Sequence, residues 1–311
     1  MHHLTLKDLT YIDGHEDFTS IKKIELGWSS DQKYDIKAKN GKRYVLRLSD
    51  IKHYDMKKKE FEVIKLFSTL GFQMSMPISF GVSSDEKVCF MLLSFVEGQS
   101  LEDALPKLDE KMQYQLGRKA GLILKKIHAL KVPDMFKHDL DIKTKKLRQL
   151  HAYETSDLRM QGDEKVIAYI KDHIDLMGKQ RSTFQHGDFH PGNLILTKDH
   201  EIGVIDFNRW DVSDPYEEFY KLECFSAAIS HPFARGQLDA YFDDDIPYTF
   251  FETLKVYSAH VALYSIKWAE KFGEKDINHM KEMYHMILDH YDDFKLTIPT
   301  WYKKEVYDDQ N

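Results

Sequence analysis

Gln185-His186-Gly187-Asp188-Phe189-His190-Pro191-Gly192-Asn193-Leu194-Ile195-Leu196 is followed, after a short polar stretch, by Val204-Ile205-Asp206-Phe207-Asn208. The segment sets out an aspartate, an asparagine five residues on, and a second aspartate thirteen residues beyond that. This is the layout of a phosphoryl-transfer site. One carboxylate takes a hydroxyl proton, and an amide and a second carboxylate hold Mg²⁺ on nucleotide phosphates. Asp188 is the expected base: at a loop tip it accepts the proton of an attacking hydroxyl and orients its oxygen toward the γ-phosphorus. Asn193 and Asp206 are the expected metal ligands, because Mg²⁺ prefers hard oxygen donors. His-Gly-Asp alone is weak, since Asp and Asn also make plain turn hydrogen bonds. The spaced Asn and the hairpin ending in Ile-Asp-Phe make the pattern specific.

Upstream of this stretch the chain reads as strands. Ile21–Leu26, Lys33–Lys39 and Arg43–Leu48 are three, with Asn40-Gly41 expected to make a type I′ hairpin turn. Lys57–Leu70 has helical periodicity and ends at Gly71, and Pro77–Val82 and Val88–Phe95 add two strands. Beyond Gly98 the patterns are helical. Asp109 caps a helix to Leu130, weaker helices follow at 143–153 and 164–177, and Leu194–Leu196 and Ile202–Ile205 form a short hairpin. Four more helices are expected near 215–229, 235–242, 248–272 and 275–294. Strands first and helices after predict an α+β fold with segregated lobes.

The Asp-to-Asn spacing equals that of the protein-kinase loop H-R-D-x-x-x-x-N, and Ile-Asp-Phe stands in place of D-F-G. With these residues the chain resembles the aminoglycoside phosphotransferase family of kinase-like enzymes, from about Ile21 to the last helices. His186 to Asn193 match the family's HGDxxxxN loop, and Ile205-Asp206-Phe207-Asn208 its IDxG segment. Asp214 and Glu218 match a downstream acidic pair. The resemblance implies a bilobal protein-kinase-like fold: a small antiparallel-sheet N-lobe over 1–97, a hinge at 94–98, and a larger helical C-lobe over 98–311. It also implies that His186 and Glu218 buttress the catalytic loop, and that Arg209 faces the transferred phosphoryl group and the base.

Arg47 falls where such kinases carry the third-strand lysine, with Glu60 on the next helix as its partner. Arginine departs from the common lysine but binds phosphate bidentately. Gly27–Asp31 is the expected loop over the phosphates, with Ser29 and Ser30 offering backbone N–H groups. The backbone of Ser94 and Val96 is expected to read the base edge. Candidate acceptor contacts are Glu218, Glu223 and Asp214, though Asp214-Pro215 reads equally as a helix cap. Trp268, Tyr264, Tyr284 and Trp301 are candidate aromatic walls, each also a natural core residue.

The chain has 311 residues, 42% hydrophobic and 31% charged, enough to bury an interior in two lobes. No apolar run reaches the roughly 18 residues that span a bilayer. Met1–Thr5 lacks a signal region, and Cys89 and Cys224 lack any CxxC pattern, so a cytoplasmic protein is expected. Residues 1–185 hold 32 Lys and Arg against 27 Asp and Glu, whereas residues 186–311 hold 12 against 24. The basic front half suits ATP or GTP, and the acidic back half suits a small cationic hydroxyl compound. An antibiotic such as an aminoglycoside leads, with a metabolic amino alcohol, amino acid or sugar derivative as rival. The absence of Ala-Pro-Glu after Asp206 argues against a protein kinase. A non-catalytic nucleotide-binding module is the rival from another class, disfavoured because the base and both metal ligands are present. No nucleic-acid or membrane partner is expected, and the chain reads as a monomer or homodimer.

Overall fold

The computed structural model describes residues 4–25, 31–138 and 141–302. The chain divides into two compact units, one of residues 1–99 with 195–208, the other of residues 100–194 with 209–311.

The first unit is built on five antiparallel strands, in the order Phe18–Ile24, Gln32–Ala38, Arg43–Asp50, Val88–Ser94, Pro77–Val82. Alternation sorts its side chains. Tyr34, Ile36, Leu46, Leu48, Phe90 and Leu92 point to one face and close over Leu9 and Ile12. Because successive strand residues face opposite ways, Arg47 between Leu46 and Leu48 points to the other face. The helix Tyr54–Phe67 packs on that side through Phe61, Val63, Ile64 and Phe67. A 3₁₀ turn Ser68–Leu70 extends it to Gly71, whose φ of 71° ends it.

The Asn40-Gly41 hairpin forms, but not as a type I′ turn. Only Gly41 has positive φ (79°), and Gly41 N–H donates to the Ala38 carbonyl at 3.0 Å. Asn40 keeps negative φ because its side chain accepts the Lys42 N–H at 3.0 Å. The result is a three-residue loop with glycine at the left-handed position. Further along, Gln73–Met74 pairs in parallel with Ile202–Val204. That pairing builds the hairpin before Asp206 into the first unit.

In the second unit, Asp109 caps the helix Glu110–Ala129 by accepting the Met112 N–H at 2.7 Å. This helix and His231–Tyr241 approach so closely that side chains are excluded: a Cβ on Gly117 would lie 2.1 Å from the Phe233 carbonyl oxygen, and one on Gly236 2.2 Å from that of Tyr114. Tyr248–Ala269 is buried along nearly its whole length, as a helix apolar on all sides must be. It shares one core with Ile142–Glu154, Glu164–His173 and Glu274–His290. The helix expected over 215–229 is irregular: a 3₁₀ turn Glu217–Phe219, a π-helical stretch Leu222–Ser226, then Ala227–Ile229. Among the described residues no helix is long and apolar enough to cross a membrane.

Candidate active site

The strand Thr183–Gln185 pairs with Asp211–Ser213 and delivers the chain into the His-Gly-Asp turn. Gly187 takes φ of 78°, and a Cβ there would lie 1.8 Å from the Arg209 carbonyl oxygen. Only glycine fits this turn. Glu218, buried, holds the turn from beneath. Its Oε1 accepts the Gly187 N–H at 2.6 Å, and its Oε2 accepts the His186 N–H at 3.1 Å and His128 Nε2–H at 3.0 Å. His186 is fully buried, and its Nδ1 accepts the Asp188 N–H at 3.2 Å.

These bonds fix Asp188 at the tip. Lys221 Nζ lies 2.6 Å from its Oδ1, and Asn193 Nδ2 donates to its Oδ2 at 3.1 Å and to its carbonyl at 2.9 Å. His190 Nε2 and Arg209 Nε each stand 3.7 Å from the carboxylate. Burial pushes the Asp188 carboxyl up, but the neighbouring His190 imidazole and the Lys221 charge outweigh it and hold it well below the ordinary range. Asp188 is therefore a carboxylate throughout the physiological range. Asn193 commits its Nδ2 to Asp188, which leaves its Oδ1 as the acceptor of the amide.

Lys221 escaped the reading of the sequence. Its side chain is only 7% exposed, and its ammonium lies 5.1 Å from the Tyr220 ring centroid and 5.0 Å from that of Phe225. One signal was available: Lys221 follows Glu218 by three residues, the spacing that puts two side chains on one face of a helical turn. Arg209 also lies 5.4 Å from the Trp268 ring centroid.

The first unit holds a second constellation. Asp206 has φ of 62°, a costly conformation for a residue with a side chain, and its Oδ2 accepts from Lys33 Nζ at 2.8 Å. Arg47 meets Glu60 as expected, Nη1 to Oε1 at 2.5 Å, but it also binds Asp31 through Nε and Nη2. Lys57 completes a buried quartet, 2.7 Å from Asp31 and 3.0 Å from Glu60. Burial raises the Asp31 carboxyl, yet the Arg47 and Lys57 charges and the Ser49 hydrogen bond bring it down to about 2. Ser29 and Ser30 lie outside the described residues. Ser94 N–H donates to the Met76 carbonyl at 2.8 Å, and Ser94 Oγ accepts the Met76 N–H at 2.8 Å. Val96 packs its Cγ1 2.4 Å from where a Cβ on Gly203 would sit.

The carboxylates nominated for an acceptor are corrected by their surroundings. Asp214 is 3% exposed and accepts from Tyr216 N–H, Gly178 N–H and Tyr257 O–H. Glu223 is fully buried, its oxygens taken by His290 Nδ1 at 2.5 Å and Trp301 Nε1 at 2.9 Å. Glu218 carries the loop. All three are spent on internal hydrogen bonds, which burial of a charge demands. Tyr284 and Trp301 are core residues, 3% and 4% exposed.

The profile of the phosphotransferase enzyme family (APH) matches residues 20–251. No curated protein sequence matches the chain. Among solved structures, the GDP complex of aminoglycoside 2'-phosphotransferase-IIIa is similar, with 18% identity, 87% of this chain and 92% of that chain covered, and a TM-score of 0.66. The gentamicin complex of APH(2")-IIa is 19% identical over 96% of this chain and all of that one, with a TM-score of 0.67. The amicoumacin kinase hAmiN, in complex with AMP-PNP, Ca²⁺ and Ami, is 14% identical over 91% of this chain and 90% of that chain, with a TM-score of 0.65. At these identities the likeness is one of fold, the kinase-like arrangement of a small antiparallel sheet followed by helices. The family match spans well over half of the sequence, and on it the chain belongs to the phosphotransferase enzyme family, as a small-molecule kinase.

Proposed function

We propose that this enzyme moves the γ-phosphate of ATP or GTP to a hydroxyl of a small cationic molecule, with Asp188 as the base. The observation that carries the reading is the Asp188 carboxylate itself, fixed at a loop tip by Lys221 and the Asn193 amide. An ionised, oriented carboxylate suits phosphoryl transfer, where the transition state is loose and the enzyme works mainly by positioning and charge. In this reading Asp188 accepts a hydrogen bond from the acceptor hydroxyl, aims its oxygen, and takes the proton as the O–P bond forms. Lys221 keeps Asp188 ionised and oriented, and His186 and Glu218 hold its backbone. Arg209, beside the same carboxylate, stabilises charge on the transferred group.

Asn193 Oδ1 and the Asp206 carboxylate are hard oxygen donors, and Asp206 already faces a cation in Lys33, so both fit Mg²⁺. When bound, the ion neutralises phosphate charge. GDP and AMP-PNP in two of the similar structures support a nucleotide substrate and leave both ATP and GTP open. Ser94 and Val96 are the proposed base contacts, Arg47 with its partner Glu60 the proposed cation at the phosphates, and Ser29 and Ser30 the proposed donors of the phosphate loop. We also propose a cytoplasmic location, which the two buried free cysteines support.

Acceptor identity rests on charge. The stretch from 186 to 311 carries twice as many acids as bases, and one similar protein is a gentamicin complex. The engagement of Asp214, Glu218 and Glu223 inside the fold favours keeping the second reading, an amino alcohol or other singly charged metabolite, because it needs fewer carboxylates. A nucleotide-consumption screen against aminoglycosides, other antibiotics and amino alcohols decides between them. Acceptor-dependent release of ADP or GDP with any member supports the kinase reading. Release with none of a broad hydroxyl panel, despite nucleotide binding, would return the chain to a binding role.

A further inference from the structure

Lys221, 2.6 Å from Asp188, already balances the charge of that carboxylate. Arg209, with its Nε 3.7 Å away, is therefore a surplus cation beside the loop tip. At that distance it makes no hydrogen bond to Asp188. Among the described residues no other carboxylate pairs with its guanidinium, and its side chain is 38% exposed. An arginine so placed, with nothing else to hold it, turns its charged end into water.

Two features hold Arg209 in place. Its backbone carbonyl closes over Gly187 in the His-Gly-Asp turn. Its guanidinium carbon lies 5.4 Å from the ring centroid of Trp268, inside the roughly 6 Å reach of a cation–π contact. Trp268 stands in the last turn of the buried helix Tyr248–Ala269. Its ring packs on the core that this helix shares and against Phe272, with centroids 4.8 Å apart. The ring is thus offered from a rigid element. A ring attracts a cation through its quadrupole and adds no formal charge. A carboxylate in its place would cancel the arginine. Lys221 is flanked in the same way, by the rings of Tyr220 and Phe225. Held by Trp268, Arg209 keeps its full charge and its N–H donors for an incoming anion.

Resting on the kinase reading above, we propose that Trp268 is a positioning residue for phosphoryl transfer. It holds Arg209 beside Asp188 without neutralising it, so that the guanidinium meets the charge on the transferred group. Its duty is then to Arg209 and not, as an aromatic wall, to the acceptor.

The test is a double-mutant cycle in the full chain, with kcat and both KM values measured on the best acceptor from the screen. Arg209→Met should lower kcat about 10²- to 10³-fold, as loss of one preorganised donor does. Trp268→Leu should lower kcat about 2- to 30-fold, the range of a cation–π contact from exposed to desolvated, with both KM values within about threefold of wild type. Trp268→Phe keeps a ring and the packing beneath it, and should recover most of the loss. In the Arg209→Met background, Trp268→Leu should change kcat by less than about twofold, because the two residues act as one. A merely structural tryptophan would carry its penalty into both backgrounds. Equal losses with and without Arg209, or an unchanged kcat in Trp268→Leu, would overturn the proposal. So would a raised acceptor KM at unchanged kcat, which would return the ring to the acceptor's wall. If the wild-type chain binds nucleotide but phosphorylates no acceptor, the kinase reading itself fails and this inference goes with it, a result plainly different from a misassigned tryptophan.

Discussion

Replacing Glu218 by glutamine changes one atom and separates two accounts of this residue. In the structure its two oxygens serve three donors: Gly187 N–H at 2.6 Å, His186 N–H at 3.1 Å and His128 Nε2–H at 3.0 Å. Glutamine has one oxygen and one NH₂ group. If its oxygen faces the two histidine donors, its NH₂ confronts the Gly187 N–H. The opposite flip sets NH₂ against both histidine donors. Either way at least one buried donor is left unmet, at about 1–3 kcal/mol. The surviving bonds also lose charge assistance, roughly half their strength. The expected loss is about 2–4 kcal/mol in urea unfolding. Displacement of the turn beneath Asp188 by even about 1 Å should lower kcat on the order of 10²-fold. Stability unchanged within about 0.5 kcal/mol, with only the acceptor KM altered, would refute the buttress and restore Glu218 as an acceptor contact.

Gly187→Ala sets a methyl group against the Arg209 carbonyl and a side chain at φ of 78°; together these should cost about 2–4 kcal/mol in urea unfolding, and wild-type stability would contradict the tight turn. The Asp31 carboxyl, brought from 3.8 to about 2 in the folded chain, contributes about 2 kcal/mol that is present in full above the unfolded value and lost as pH falls through the folded one. The stability gap between wild type and Asp31→Asn should therefore narrow below about pH 4, and a constant gap down to that of the folded value would remove Asp31 from the buried quartet. For a cationic acceptor, KM should rise as salt shortens the screening length from about 10 Å at 0.1 M to about 3 Å at 1 M, at saturating nucleotide. A flat dependence would detach the acidic second half from acceptor choice while leaving the kinase assignment in place.

The order of elements was readable because alternation and helical period dominate where one face is buried. Strand Pro77–Val82 and the cap at Asp109 fall where the patterns place them. Local chemistry competing with the pattern was harder to see. Asn40 fits a type I′ turn, yet its side chain bonds the Lys42 N–H and keeps φ negative. The stretch after Asp214 has helical composition but winds through 3₁₀ and π turns, which no propensity records. In the candidate site, the spacing from Asp188 to Asn193 was visible because a loop of fixed length positions both. Lys221 and Lys33 were not, because each reaches its aspartate from a separate element, and lysines on strands and helices usually face solvent. Glu223 and Asp214 were misjudged for the opposite reason: acids in a charged stretch look solvated, and only packing reveals that their oxygens are filled.

The most direct test of the account is transfer of the γ-phosphate by wild type and Asp188→Asn with the best acceptor from the screen. Asparagine keeps the shape and the loop but cannot take the hydroxyl proton. The account predicts nucleotide affinity near wild type and a kcat lower by on the order of 10²–10⁴, the usual share of general acid–base catalysis. A kcat within a few-fold of wild type would contradict it.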